Sequence, residues 1–300
     1  MISFQDIAEL WDSFFFDRIP VHSLAIFRIG LALVLLIDTV YNLLNLKEYF
    51  GPNGIVSYDS YRKKNGKGTL SLFLILPATM RSVYLVIGLH ITFLLMVLLG
   101  LFTPISVLLA FITLRSTISR NSSLCNGGDS VAKLMCWLLI FAPCGYAYSL
   151  DEYFFYALSM PDQEYLMQAP WVLRLMQIQV SIIYIYTVYW KLKGKTWRNG
   201  TAIYYAMNSE FYRRFKMPKP FLKTPFVQAI TWSVLLAEFG IGMGIWIEEL
   251  RYPMIAVGIV LHLVFEYTMN VHLFSWYMMM CLILFIDPTD IYNFISGIIS

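Results

Sequence analysis

Apolar positions run through this chain in stretches of helix length, separated by short polar segments. The runs fall at about 23–46, 83–102, 104–119, 130–146, 174–191, 225–247, 253–269 and 274–285. A helix needs roughly 20 apolar residues to cross a bilayer core, and every backbone polar group inside lipid must be satisfied internally. The runs lack the period-two alternation of barrel strands. The pattern therefore predicts an all-α, polytopic membrane helical bundle of about eight transmembrane helices, forming a single domain over 1–300. Residues 1–20, with FQDIAELWDSFFF before Pro20, read as an amphipathic helix lying in the interface. The run 70–76 is too short to span, and 195–224 alternates bases and aromatics as interfacial helices do.

Composition agrees with the pattern. Hydrophobic residues make up 58% of the 300 and charged residues only 14%, too apolar a balance for a soluble domain of this size. The net charge of +3 gives no footprint for nucleic acid. The four cysteines are scattered without metal spacing, so no metal is expected and structural thiols are. Lysine and arginine gather on one side of the spans: Lys47, Arg62, Lys63, Lys64, Lys67, Arg120 and the basic run 191–223. The positive-inside rule makes that side cytoplasmic, in a multi-pass protein of the cell membrane with both termini external.

One run is not apolar all round. Arg174, Gln177, Ser181, Tyr184, Thr187 and Lys191 follow at steps of three or four, which places them on one helix face. A polar stripe ending in lysine faces the protein interior or a wet cavity rather than lipid. Packing against neighbours, with a snorkelling lysine at the end, explains it as well as a functional site does. A second stripe, His262, Glu266 and Asn270, steps by four along the run 253–269. Arg28 inside the first span needs a partner, for which Glu266 or Glu238 is expected, and a buried ion pair fixing register outweighs catalysis there. Asp129 or Ser130 is a natural cap for the fourth span.

Three stretches together, SLAIFR at 23–28, KLxxxxW at 191–197 and MNxxLFS at 269–275, resemble the membrane region of vitamin K-dependent γ-glutamyl carboxylase. RNSSLCNGGDSVAKL and FAPCGYAYSLD are similar to the bacterial HTTM-domain proteins of the same superfamily. The resemblance implies that Lys191 matches a lysine that deprotonates vitamin K hydroquinone, with one extra residue before the matching Trp197. Desolvation against an aromatic wall, for which Tyr189 and Trp190 are expected, turns a lysine into a usable base. Asp129 stands where the carboxylase has a histidine. The large soluble domain that captures the carboxylase's substrates has no counterpart in these 300 residues, so carboxylation of a tagged protein by this polypeptide alone is not expected.

Two classes of function follow. The first is a quinol-dependent membrane enzyme. Lys191 is its base, and Arg28, Asp129, Gln177, Ser181, Tyr184, Trp197, His262, Glu266 and Asn270 surround a reduced prenyl quinone. The second is a non-enzymatic membrane factor for maturation, export or immunity of a secreted peptide, or for lipid handling, since some members of the superfamily take part in maturing a secreted peptide. The expected partners are the bilayer, a prenyl lipid and a peptide or protein substrate.

Overall fold

The computed structural model describes residues 4–66, 68–159 and 164–299; Lys67, among the loop bases noted above, lies outside them. Fifteen α-helices are described: α1 (Phe4–Phe16), α2 (His22–Leu43), α3 (Leu46–Phe50), α4 (Tyr58–Lys64), α5 (Leu72–Ile75), α6 (Met80–Leu99), α7 (Thr103–Arg120), α8 (Gly127–Leu139), α9 (Trp171–Lys193), α10 (Lys195–Arg198), α11 (Ala202–Asn208), α12 (Thr224–Gly244), α13 (Glu248–Thr268), α14 (Phe274–Ile283) and α15 (Pro288–Ile299). One two-stranded antiparallel pair joins β1 (Ile19–Pro20) to β2 (Met167–Gln168), with Ile19 opposite Gln168.

This is an all-α, multi-pass membrane protein, but the expected eight spans are not reached. Among the described residues, five helices are long and apolar enough to cross: α2, α6, α9, α12 and α13. The broken pair of α14 and α15 makes a sixth if counted as one span. The reason is length and polarity. At about 1.5 Å per residue, the 13 residues of α8 and the 10 of α14 fall well short of a roughly 30 Å core. Helix α7 has 18 residues, but its second half carries Thr113, Arg115, Ser116, Thr117, Ser119 and Arg120.

The described chain divides into two compact units, one running to Arg174 and resuming at Asp287, the other Leu175–Ile286. In the first, α6 and α7 form a hairpin whose turn requires Gly100. Its φ is +67°, and an added Cβ would lie 2.3 Å from Ser149 Cβ and 2.4 Å from Arg28 Nη1. Left-handed backbone closes the helix as Leu101 N–H donates to Met96 O at 2.9 Å. Asp151 then caps α7, its carboxylate accepting from Phe102 N–H at 2.7 Å and Thr103 N–H at 2.6 Å.

Arg28 is fully buried against the same turn. The expected intramembrane carboxylate is not its partner. Its guanidinium donates to the backbone carbonyls of Cys144 at 2.8 Å and Tyr148 at 2.6 Å, with Asp151 and Glu152 near enough to offset the charge. Tyr148 presents that carbonyl from a left-handed conformation, φ +50°. Glu238 and Glu266, the two candidates, are engaged by Lys191 and Arg214. Arg120 repeats the motif at the other end of α7: fully buried, it donates to Gly51 O at 2.5 Å and Val56 O at 2.8 Å and lies over the rings of Tyr58 and Tyr61. It fixes the loop that carries α3 and α4.

In the second unit small residues let the helices approach closely. An added Cβ on Gly242 of α12 would come within 2.9 Å of Ile185 and 3.4 Å of the Ser181 carbonyl, both on α9. Gly258 of α13 meets Leu282 of α14 in the same way, at 2.6 Å. Helices α12, α13 and α14 pack in sequence order.

Candidate functional site

The helical spacing of the stripe does bring its residues to a common interior face, and the structure supplies their partners. From Leu175 onward α9 turns Gln177, Ser181 and Tyr184 inward, all buried. Gln177 Nε2 donates to Leu284 O at 2.7 Å, at the end of α14. Ser181 Oγ accepts from the Trp246 indole at 2.8 Å. Tyr184 Oη lies 2.8 Å from His262 Nε2, so the stripes of α9 and α13 meet there. Thr187 turns back on its own helix, donating to Tyr184 O at 2.8 Å. Arg174, the first member, belongs elsewhere: in the other unit it donates to Phe14 O at 3.2 Å and lies over the Phe14 ring.

Lys191, about two turns beyond Tyr184, forms an ion pair with Glu238 of α12. The Lys191 side chain is 23% exposed and that of Glu238 only 7%, so the carboxylate is the deeper member. Its second oxygen, Oε2, is buried with no hydrogen-bond partner, and so is His262 Nδ1. A buried polar atom without a partner costs about 1–3 kcal/mol, and on α12 and α13 these two share that state with Glu266 Oε2. Lys191 Nζ also lies 4.9 Å from the Trp197 ring centre, a cation–π contact. The expected wall is therefore a different one. Tyr189 and Trp190 point outward, half exposed, and receive Lys193 at 4.3 and 4.5 Å.

An open groove of about 600 Å³ runs between α9 and α12, lined by Val188, Leu192, Ala229, Trp232, Ser233, Leu235, Leu236 and Phe239. Val188 and Leu192 bracket Lys191 on α9, and Leu235 and Phe239 bracket Glu238 on α12. The groove is apolar with one hydroxyl, Ser233; Lys191 and Glu238 adjoin its lining residues in sequence without lining it themselves.

Besides Arg28, three of the expected site residues take other places. Asn270 lies past the end of α13, exposed, its N–H donating to Tyr212 O at 2.6 Å; the step of four continues in sequence while the helix stops at Thr268. Glu266 pairs with Arg214 at 3.0 Å rather than with Arg28. Asp129, in the first unit, closes a capping box on α8: it accepts from Asn126 N–H at 2.7 Å while Asn126 accepts from Gly128 N–H at 2.6 Å. The N-cap is Asn126, three or four residues before the expected Asp129 or Ser130. Sequence reading missed the roles of Glu238 and Trp246. A lone carboxylate in the apolar run of α12 was the available signal, since such a residue marks a site by default.

Two curated proteins of Bacillus subtilis (strain 168) are similar to this chain. Sporulation-delaying protein SdpB is 30% identical over 126 residues, covering 40% of this chain and 39% of its own. Uncharacterized protein YitO is 29% identical over 119 residues, covering 38% of each. The chain thus spans about two fifths of the length of the curated relatives it matches. No solved structure matches it. The HTTM domain matches residues 16–289, which take in α2 through the start of α15, the ion pair and the groove. The chain belongs to the HTTM domain family.

Proposed function

We propose that the Leu175–Ile286 unit binds a reduced prenyl quinone, or a lipid of the same build, in the cell membrane and takes a proton from its head. One observation carries the reading: Glu238 Oε2 is buried without a partner in an ion pair whose neighbouring residues line an apolar groove. The residues fit such a ligand. Trp232, Leu236 and Phe239 offer an apolar wall to a prenyl tail and Ser233 a hydroxyl to a ring, while Lys191 and Glu238 lie behind that wall, next in sequence to lining residues, and come within reach only when the ring enters between α9 and α12. A bound quinol supplies acidic hydroxyls and two electrons.

The protein's part is proton handling. An ammonium–carboxylate pair holds one proton fewer than its two groups can carry, so Oε2 is open to accept one. Movement of the Lys191 proton onto Glu238 within the pair leaves a neutral amine, the form in which Lys191 acts as a base. Trp197 covers the ammonium and limits its access to water. Tyr184 and His262 form a second hydrogen-bonded pair that can pass a proton, because the imidazole has one ring nitrogen free.

The test is mass spectrometry of lipids that co-purify with the protein in mild detergent, alongside the variant Leu236→Trp, which fills the groove from its exposed side. A prenyl quinone retained by the wild type and lost from the variant supports the reading. Its absence from wild-type protein purified out of quinone-rich membranes overturns it. The resemblance to the wider superfamily described above favours a second reading, a membrane factor acting on a secreted peptide without chemistry of its own. A peptide that co-purifies equally with wild type and Glu238→Gln would favour that one.

A further inference from the structure

A second cavity, of about 240 Å³, lies in the first unit, between the β1–β2 pair and the start of α15. Its lining is Pro20, His22, Leu166, Met167, Thr289 and Tyr292. His22, the first residue of α2, is only 5% exposed, yet its Nδ1 has no hydrogen-bond partner. Its ring lies 5.3 Å from that of Tyr148 and 5.2 Å from that of Tyr292. Tyr148 Oη is also buried without a partner. Two orphaned polar atoms on touching aromatic rings, one of them on the cavity-lining His22, are costly to leave, and nothing in the proton-handling site uses them.

We propose that this cavity binds the hydroxyl end of an uncharged amphiphile, a long-chain alcohol or a lipid presenting one free hydroxyl. An imidazole nitrogen and a phenol complement a group that both donates and accepts, which a hydroxyl does. No carboxylate, lysine or arginine lines the cavity, so a charged head would be desolvated without compensation. Water alone fills it poorly. At roughly 30 Å³ each the volume corresponds to about eight waters, each needing two to four polar partners, and three of the six lining residues are Pro20, Leu166 and Met167. The hydroxyl sits against His22, whose ring Tyr148 backs, the first carbons fill the space between the rings of His22 and Tyr292 and Leu166, and the rest of the chain leaves through the open side past Met167.

The experiment uses the full-length protein in detergent and a dodecanol carrying a photoactivatable diazirine near the hydroxyl. Cross-links are mapped by peptide mass spectrometry. Labelling is expected at 166–167 or 289–292, competed by dodecanol and about tenfold less well by dodecylamine or dodecanoate. His22→Phe and Tyr148→Phe keep the rings and remove one polar atom each; each is expected to weaken labelling about tenfold. Met167→Trp narrows the open side without touching the polar atoms and is expected to abolish labelling. Competition by dioleoylglycerol as well would identify a membrane lipid as the source; dodecanol alone would identify a free alcohol. Absent labelling, as from a cavity holding water only, overturns the proposal. So does labelling that all three variants leave unchanged, or that charged analogues compete equally.

Discussion

Tyr184 and His262 stand 78 residues apart in sequence and meet through a 2.8 Å contact between the phenol oxygen and Nε2. That contact joins the polar faces of two helices, each of which would otherwise present unpaired polar atoms to an apolar interior. Both side chains are buried, and the ring centres are 6.1 Å apart. The bond serves helix register.

Breaking it is expected to be costly from either side. Tyr184→Phe strands the imidazole and His262→Phe strands the phenol, each at about 1–3 kcal/mol. The double variant is expected to cost less than the sum of the two, since neither stranded group remains. Thermal unfolding in detergent measures all three. Additive losses would show that the two groups do not depend on one another.

The anchoring of Arg28 makes a different prediction. Because its partners are the carbonyls of Cys144 and Tyr148, Arg28→Leu leaves two buried acceptors unpaired, and no change at Glu238 or Glu266 is expected to restore stability. Gly100→Ala is expected to damage the same turn, by overlap with Ser149 and by strain at a φ of +67°. Losses of about 1–3 kcal/mol or more follow for each, read as lower yield and melting temperature. Rescue of Arg28→Leu by a Glu266 substitution would contradict the assignment.

What the chain disclosed in advance follows from periodicity. Gln177, Ser181, Tyr184 and Lys191 share a face because 3.6 residues make a turn, and any reader of the sequence can count that far. Their partners are set by how the helices cross, which no local pattern encodes: Glu238 is 47 residues from Lys191, and Trp246 is 65 from Ser181. Arg28 misleads for another reason. A buried charge suggests a side-chain counter-ion, whereas here a left-handed Tyr148 turns a backbone carbonyl toward it, and a positive φ at tyrosine leaves no mark in composition. The span count failed on length, because α8 reads as apolar well past the point where its helix ends at Leu139.

Cys125 offers a test by pH. It lies between α7 and α8, its thiol donating to Ile118 O at 3.5 Å, and burial, aided by the Asp129 carboxylate, pushes its pKa up to about 11. Only the thiolate reacts, so at pH 8 about one molecule in a thousand is reactive. Alkylation by a maleimide is expected to be slow at neutral pH and to quicken about tenfold per pH unit up to pH 11. A rate that levels off near pH 9 would show an ordinary exposed thiol.

The last prediction separates proton transfer from charge pairing at Lys191 and Glu238. If the pair only holds helices α9 and α12 together, Lys191→Arg is expected to behave as wild type, since a guanidinium pairs with a carboxylate at least as well. If Lys191 must lose a proton, Lys191→Arg fails nearly as badly as Lys191→Ala while keeping the fold, because arginine stays protonated. Removing either partner alone strands a buried charge at about 3–5 kcal/mol, with Lys191→Ala and Glu238→Ala both affected. The double variant Lys191→Met with Glu238→Met is expected to recover much of that stability and none of the activity. Glu238→Gln keeps a hydrogen bond to Lys191 and removes the proton acceptor, so quinol binding is expected to survive it while aerobic quinol consumption in proteoliposomes, with dissolved oxygen as the oxidant, does not. The discriminating measurement is Lys191→Arg, with protein level and melting temperature matched to wild type. Full consumption by that variant removes Lys191 as a base and leaves the pair a structural clamp.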